Sequence, residues 1–144
     1  MKIIPFEAHH LLDVDLQDSQ TYLSQWINEA QAKEIEATEC AFTGVNEDGS
    51  LMGCAGVMNI WHGRAQGWAY ISKKAEGRSF IKVHKAVSRF FDACYIKRVE
   101  ITVDCNFEQG HRWAEMLGFT MEAERMTAYR PDGGDCALYA RILP

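Results

Sequence analysis

The stretch RVEITVDCNFEQGHRWAEMLGFTMEAERMTAYRPDGGDCALYARI, residues 98–142, decides the fold. Val99, Ile101 and Val103 alternate with Glu100, Thr102 and Asp104, the period-2 pattern of a strand with one buried face. Asn106 is a candidate N-cap for a following helix in which Trp113, Met116 and Leu117 share one face. Gly118 stands where a helix ends through a left-handed residue. Two strand-like runs follow, Phe119 to Arg130 and Cys136 to Leu143, joined at the turn signal Pro131-Asp132-Gly133-Gly134. The order is strand, helix, hairpin.

Upstream of this stretch, Gln66 to Ser72 reads as a strand and Ser79 to Cys94 as an amphipathic helix. The helix carries Phe80, Val83, His84, Val87, Phe90, Phe91 and Cys94 on its apolar side. Between them lies Lys73-Lys74-Ala75-Glu76-Gly77-Arg78-Ser79. A strand feeding a glycine-bearing loop and a helix start offers free backbone N–H groups and a positive dipole end to an anion. Lys73, Lys74, Arg78, Lys82 and Lys85 gather in the same place, so a phosphate or pyrophosphate is the expected ligand class.

The N-terminal half predicts a strand at Lys2 to Phe6 and one helix from Asp18 to about Ala37, capped by Asp18 or Ser19. That helix shows Tyr22, Leu23, Trp26, Ile27 and Ala30 on one face and a solvated rim from Lys33 to Glu39. His9 and His10 read as a solvated or helix-capping pair, with no ligand cluster at metal spacing. Strands Cys40 to Val45 and Leu51 to Ile60 flank the loop Asn46-Glu47-Asp48-Gly49, and His62-Gly63 turns the chain again. Gly53 and Gly56 mark a bulge or close packing. The expected core comprises Trp26, Val57, Ile71, Val83, Val87, Phe91, Ile101, Val103, Trp113, Leu117 and Phe119.

A chain of 144 residues fits one domain with a sizeable core, here residues 1–144. Its net charge of −5 argues against nucleic acid as a partner. No apolar run approaches the ~18 residues of a membrane span, and MKIIPFEAHH lacks a signal-peptide core, so no membrane and a cytoplasmic location are expected. The cysteines Cys40, Cys54, Cys94, Cys105 and Cys136 show no CxxC spacing and read as small buried hydrophobes in a reducing compartment. Cys105, between strand and helix, is the one candidate for a reactive thiol.

Leu117-Gly118-Phe119, Tyr129, Gly134-Asp135 and Leu138-Tyr139, in that order behind a strand and a helix, resemble the closing half of the GNAT family of acetyl-CoA-dependent N-acetyltransferases. Lys74-Ala75-Glu76-Gly77-Arg78-Ser79 is similar to that family's pyrophosphate loop, with Lys at the first position and Ser at the last. The resemblance implies a mixed α/β (α+β) domain with a mostly antiparallel sheet of about seven strands. The fourth and fifth strands would run parallel, joined by the Ser79–Cys94 helix, and would splay apart. It implies transfer of an acetyl group by direct attack of an amine on the thioester. Acetyl-CoA would be the cosubstrate, held by Ile71, Ser72, Lys74, Gly77, Arg78 and Ser79. The acceptor would be the amine of a small molecule or protein, and a homodimer is compatible with the family.

The chain departs from the family at Ala114, where a Tyr often protonates the leaving thiolate, and at Phe107, where an Asn often stands. The Gln66–Ser72 strand carries no carboxylate for a general base. Asp104, with Glu100 as the lesser choice, is the carboxylate candidate, and His111 has a side chain suited to acid or base work. Tyr139, with Tyr70 and Tyr129 behind it, is the hydroxyl that would replace the missing acid. No metal is implied. These departures, with RWAEMLGF (112–119), also resemble small GNAT-like phage proteins. That alternative implies impaired catalysis and a binding or assembly role with phage structural proteins, in host cytoplasm or virion.

Overall fold

Alternation of apolar and polar side chains and well-placed glycines generate the sheet. A computed structural model describes residues 1–144. Its strands are β1 (Lys2–Pro5), β2 (Ala41–Val45), β3 (Leu51–Trp61), β4 (Arg64–Ile71), β5 (Arg98–Asp104), β6 (Thr120–Met126) and β7 (Cys136–Ile142). Its helices are α1 (Ala8–Asp13), α2 (Glu29–Ala37), α3 (Gly77–Ala93) and α4 (Glu108–Met116), with a 3₁₀ turn at Asp18–Leu23. The strands form one seven-stranded sheet of order β1-β2-β3-β4-β5-β7-β6. β4 and β5 are parallel, with Arg64–Gln66 in register with Arg98–Glu100, and α3 lies between them in the chain. The mixed α/β architecture and the parallel pair agree with the expectation from sequence. No helix is long and apolar enough to cross a membrane.

The chain divides into two compact units, Met1–Met58 with Trp68–Ala93, and Asn59–Gly67 with Cys94–Pro144. In the first, β1 and β2 pair antiparallel from Lys2↔Val45 to Pro5↔Phe42, and β2 pairs antiparallel with β3. Phe6, Leu11, Ala32, Ile35, Ala41 and Cys54 form a buried cluster, against which Ile27, Trp68 and Tyr70 pack. Gly53 and Gly56 are close-packing positions: a Cβ would come within 2.6 Å of Tyr70 O and 2.5 Å of Cys40 O respectively. The single helix expected from Asp18 to Ala37 is instead a 3₁₀ turn and a separate α2. Asn28 starts α2 by accepting the Gln31 N–H at 2.9 Å, a cap that fixes the helix start ten residues later than Asp18. Trp26 therefore sits in the connection, 48% exposed rather than in the core, while Ile35 in the presumed rim is buried.

The second unit holds β5, β6, β7, α4, the end of β3 and the start of β4. β7 pairs antiparallel with β5 over Arg98↔Ile142 to Asp104↔Cys136, and with β6 on its other edge. Asn106 is not the N-cap of α4: Phe107 holds that place, and the Asn106 N–H is bonded to Asp104 Oδ1 at 2.7 Å. The C-terminus is a complete Schellman motif. Gly118, at φ +85°, donates to Glu115 O, and Phe119 donates to Ala114 O, each at 3.0 Å. Met116 is exposed while Gly110 and Ala114 supply the buried face of α4. Val57, Ile71, Val83, Phe91, Val103, Leu117 and Phe119 are buried as expected; Val87, Ile101 and Trp113 are half-buried.

Candidate functional site

In the first unit the end of β4 and the start of α3 carry the residues nominated for acyl-CoA binding. Ile71 and Ser72 are buried; Lys74, Gly77 and Arg78 are exposed and Ser79 is half-buried. The intervening loop is wound on itself. Lys73 N–H donates to Asp15 O at 2.9 Å, Lys74 N–H to Ser72 Oγ at 3.1 Å, Ala75 N–H to Ser72 O at 3.0 Å and Glu76 N–H to Lys74 O at 3.0 Å. The N–H groups of Gly77 and Arg78 lie outside this set and open the first turn of α3, where helix donors lack internal partners. Gly77 adopts φ +53°, and a Cβ built on it meets nothing within 4 Å. An anion thus has open access to two adjacent backbone donors, flanked by the Arg78 side chain and the helix dipole.

An open depression of ≈ 480 Å³ adjoins this loop at Ser72 and Lys74 and is also bordered by His9, Asp13 and Asp15. Its carboxylates oppose an anion, and neither Gly77 nor Arg78 lines it. The neighbouring Glu7, His9 and His10 bring ligand atoms within 4.8 Å of one another, a cluster that the sequence reading did not foresee. Glu7 and His10 pin the start of α1: Glu7 N–H donates to His10 Nδ1 at 3.0 Å, and His10 N–H donates to the Glu7 backbone O at 2.9 Å. Nδ1 is therefore an acceptor and the His10 proton resides on Nε2, which leaves that imidazole no lone pair for a cation.

The backbone of Ala69 and Ile71 meets the N-terminal segment. Gln17 N–H donates to Ile71 O at 2.9 Å, Ile71 N–H donates to Gln20 Oε1 at 2.9 Å, and Gln20 Nε2 donates to Ala69 O at 2.7 Å. Neither glutamine is singled out by sequence, because a lone side-chain amide has no periodicity or spacing to mark it.

In the second unit Tyr139 and His111, nominated separately, are in contact. The Tyr139 hydroxyl lies 2.7 Å from His111 Nδ1, and His111 Nε2 lies 3.2 Å from Cys105 O. A carbonyl only accepts, so Nε2 carries the imidazole proton and Tyr139 donates to Nδ1. Burial, then the charge of Glu115, pushes the Tyr139 phenol above its ordinary pKa, so it holds its proton at neutral pH. Asp104 is engaged: Arg130 Nη1 ion-pairs with its Oδ2, and its Oδ1 accepts the Asn106 N–H. Arg130 also forks onto Asp132 at 2.9 and 2.7 Å. Glu100 is 8% exposed and clamped by Arg64 (2.8 and 3.0 Å) and Arg98 (2.7 Å), which hold its carboxyl below the usual range, Arg64 foremost. Cys105 is half-buried with Sγ 3.5 Å from Glu124 O; Cys54 is fully buried, which pushes its thiol up to about 11. All five cysteines are free.

No protein-family model and no curated protein matches the sequence. Solved structures do. Ard1 from Thermoplasma volcanium superposes with a TM-score of 0.76 at 16% identity, covering 99% of this chain and 97% of that one. A GNAT superfamily phosphinothricin acetyltransferase from Sinorhizobium meliloti, in complex with AcCoA, gives 0.73 at 18% identity, covering 99% and 88%. The spermidine/spermine N-acetyltransferase SpeG from Vibrio cholerae gives 0.68 at 13% identity, covering 98% and 91%. With its seven-stranded sheet and parallel β4–β5 pair, the chain has the fold of the GNAT acetyltransferases.

Proposed function

We propose that the protein is an acetyl-CoA-dependent N-acyltransferase that works by direct amine attack. The observation that carries this reading is the Ile71–Ser79 segment: a strand end, a wound loop, and two helix-opening donors beside a positive-φ glycine with empty space above it. Ile71 and Ser72 would border the pantetheine arm, and Lys74, Gly77, Arg78 and Ser79 would surround the pyrophosphate. In the reaction the amine nitrogen bonds to the thioester carbonyl carbon, the C–S bond breaks, the nitrogen loses a proton and the thiolate gains one. Tyr139 is assigned as proton donor to the thiolate, a role that requires its buried hydroxyl to turn its proton away from His111 Nδ1. Asp104 is assigned as base toward the amine, a role that requires Arg130 to move off its carboxylate. General acid–base help is worth ~10²–10⁴-fold, so positioning of the thioester carries much of the rate in such a site.

Calorimetric titration with acetyl-CoA tests the reading, followed by detection of free CoA thiol against a panel of amines. Binding that weakens about tenfold in Gly77→Ala, and loses salt sensitivity in the double change Arg78→Ala with Lys82→Ala, is the expected outcome. No heat at high micromolar acetyl-CoA would overturn it.

A second reading has one observation in its favour. Ala114, where the family often carries its acid Tyr, is 2% exposed and packed as a core residue, so no hydroxyl can substitute there without repacking. The scaffold would then serve binding or assembly, for a phage-encoded chain among structural proteins. Acetyl-CoA binding without CoA release for any amine would favour it.

A further inference from the structure

Strand geometry gives β4 two edges, with alternate residues directing their N–H and C=O groups to opposite sides. Ser72 N–H bonds to Met52 O of β3 at 2.9 Å, so Ala69 and Ile71 direct theirs to the other edge. Those are the groups that Gln17 and Gln20 fill. The Gln20 carboxamide accepts from Ile71 N–H with its oxygen and donates to Ala69 O with its nitrogen, as the peptide group of a neighbouring strand would. A second contact extends the mimicry: Leu16 and Ser72 form an antiparallel bridge, with Lys73 N–H bonded to Asp15 O.

We propose that the segment Asp15–Leu23 is a displaceable plug, its Gln20 carboxamide standing in for a secondary amide of the pantetheine arm. The inference rests on the acetyl-CoA reading, since an acyl-CoA laid along β4 needs the same N–H and C=O groups for its own amides. The segment is weakly held. Its Asp18–Leu23 part is a 3₁₀ turn with no side-chain cap, a short geometry of poorer hydrogen bonds, and no residue from Asp15 to Leu23 is buried. Ser19 Oγ within it is a buried atom without a partner, which disfavours the docked state. Its one ion pair, Lys73–Asp15, has both side chains 58% exposed. A ligand that binds only the unplugged form sees its apparent affinity reduced by the fraction unplugged.

The test uses the full chain. Gln20→Ala removes the carboxamide. Gln17→Pro removes the N–H donated to Ile71 O, at a residue whose φ of −60° and ψ of 154° already suit proline. Acetyl-CoA affinity is measured for both, for Gly77→Ala and for the unmodified protein, with amide hydrogen exchange on the unmodified protein with and without acetyl-CoA. Each glutamine variant is expected to bind about tenfold more tightly, the weight of about one net hydrogen bond. In the unmodified protein acetyl-CoA should speed exchange at Gln17 while leaving Ile71 protected. If Gly77→Ala weakens binding but neither glutamine variant strengthens it, and Gln17 exchange is unchanged, the plug is refuted and the acetyl-CoA reading stands. If no form binds acetyl-CoA, both fall. Should a glutamine variant fail to fold, the exchange result on the unmodified protein decides alone.

Discussion

His10 shows how one side chain ties a local turn to distant packing. Its Nδ1 accepts the Glu7 N–H and lies 2.9 Å from Thr43 Oγ1, beside the buried Cys54. Burial, then the charge of His9, lowers its pKa; Glu7, Asp13 and Glu36 oppose without reversing that. A histidine whose folded pKa is depressed contributes stability that is present above its unfolded value of about 6.5 and is lost as pH falls through the folded value. Denaturant unfolding followed from pH 8 to pH 5 should therefore show stability declining on the acid side, and His10→Gln should flatten that decline. Tyr139 supplies a second residue-scale prediction. Tyr139→Phe removes the donor to His111 and should cost about 1 kcal/mol in unfolding experiments. If Tyr139 is the acid, kcat in the CoA-release assay falls at least about 10²-fold in the same variant. A stability loss with unchanged kcat would leave the hydroxyl a purely structural role.

At the scale of elements, two glycines, Gly110 within α4 and Gly118 just past its end, do opposite jobs. Gly118 is needed for its backbone, at φ +85°, where a Cβ would meet only Arg141 Nε at 3.5 Å. Gly118→Ala should cost about 1 kcal/mol from backbone strain alone. Gly110 is needed for space: a Cβ there would stand 2.4 Å from a ring carbon of Phe107 and 2.8 Å from Val103. Gly110→Ala gains helix propensity yet should cost more than Gly118→Ala, about 1–3 kcal/mol, through overpacking. Chemical denaturation of the two variants side by side ranks them. Gly118 was legible in sequence because a helix end is a local event. Gly110 was not, since its neighbours Phe107 and Val103 acquire their places only when α4 docks on β5. The same reasoning explains the 3₁₀ turn. Tyr22, Leu23, Trp26 and Ile27 suit a helical face, but the capping preference of Asn28 and the pairing of Asp15–Gln17 with Ile71–Lys73 divide the segment.

Across the molecule, charge is organised in chains of pairs. Arg64, Glu100, Arg98 and Glu122 link β4, β5 and β6 in sequence, Arg98 reaching Glu122 with both terminal nitrogens. Glu100 and Glu122 both have depressed pKa values, caused first by Arg64 and by Arg98 respectively. Their contribution to stability is present above the ordinary glutamate range and is lost as pH falls through the folded values. Glu100→Gln should reduce stability at neutral pH, leave little difference at the acid end, and shift the acid-unfolding midpoint upward. The overall architecture was readable because β5, α4 and the β6–β7 turn each announce themselves within a few residues. The candidate site was readable only as separate nominations: Tyr139 and His111 are far apart in sequence, and Arg130's hold on Asp104 leaves no trace in composition.

β4 belongs to both compact units, Arg64–Gly67 to one and Trp68–Ile71 to the other. Neither unit is therefore a contiguous stretch of sequence, and no truncation can isolate the second. Severed after Ala93, the longer fragment keeps every residue of the first unit, whereas the shorter lacks Asn59–Gly67 and with it the strand that Arg98–Glu100 pairs against. Fragment 94–144 alone should remain unfolded by circular dichroism and gain strand signal when mixed with fragment 1–93, a reconstitution in which one strand serves as the shared template.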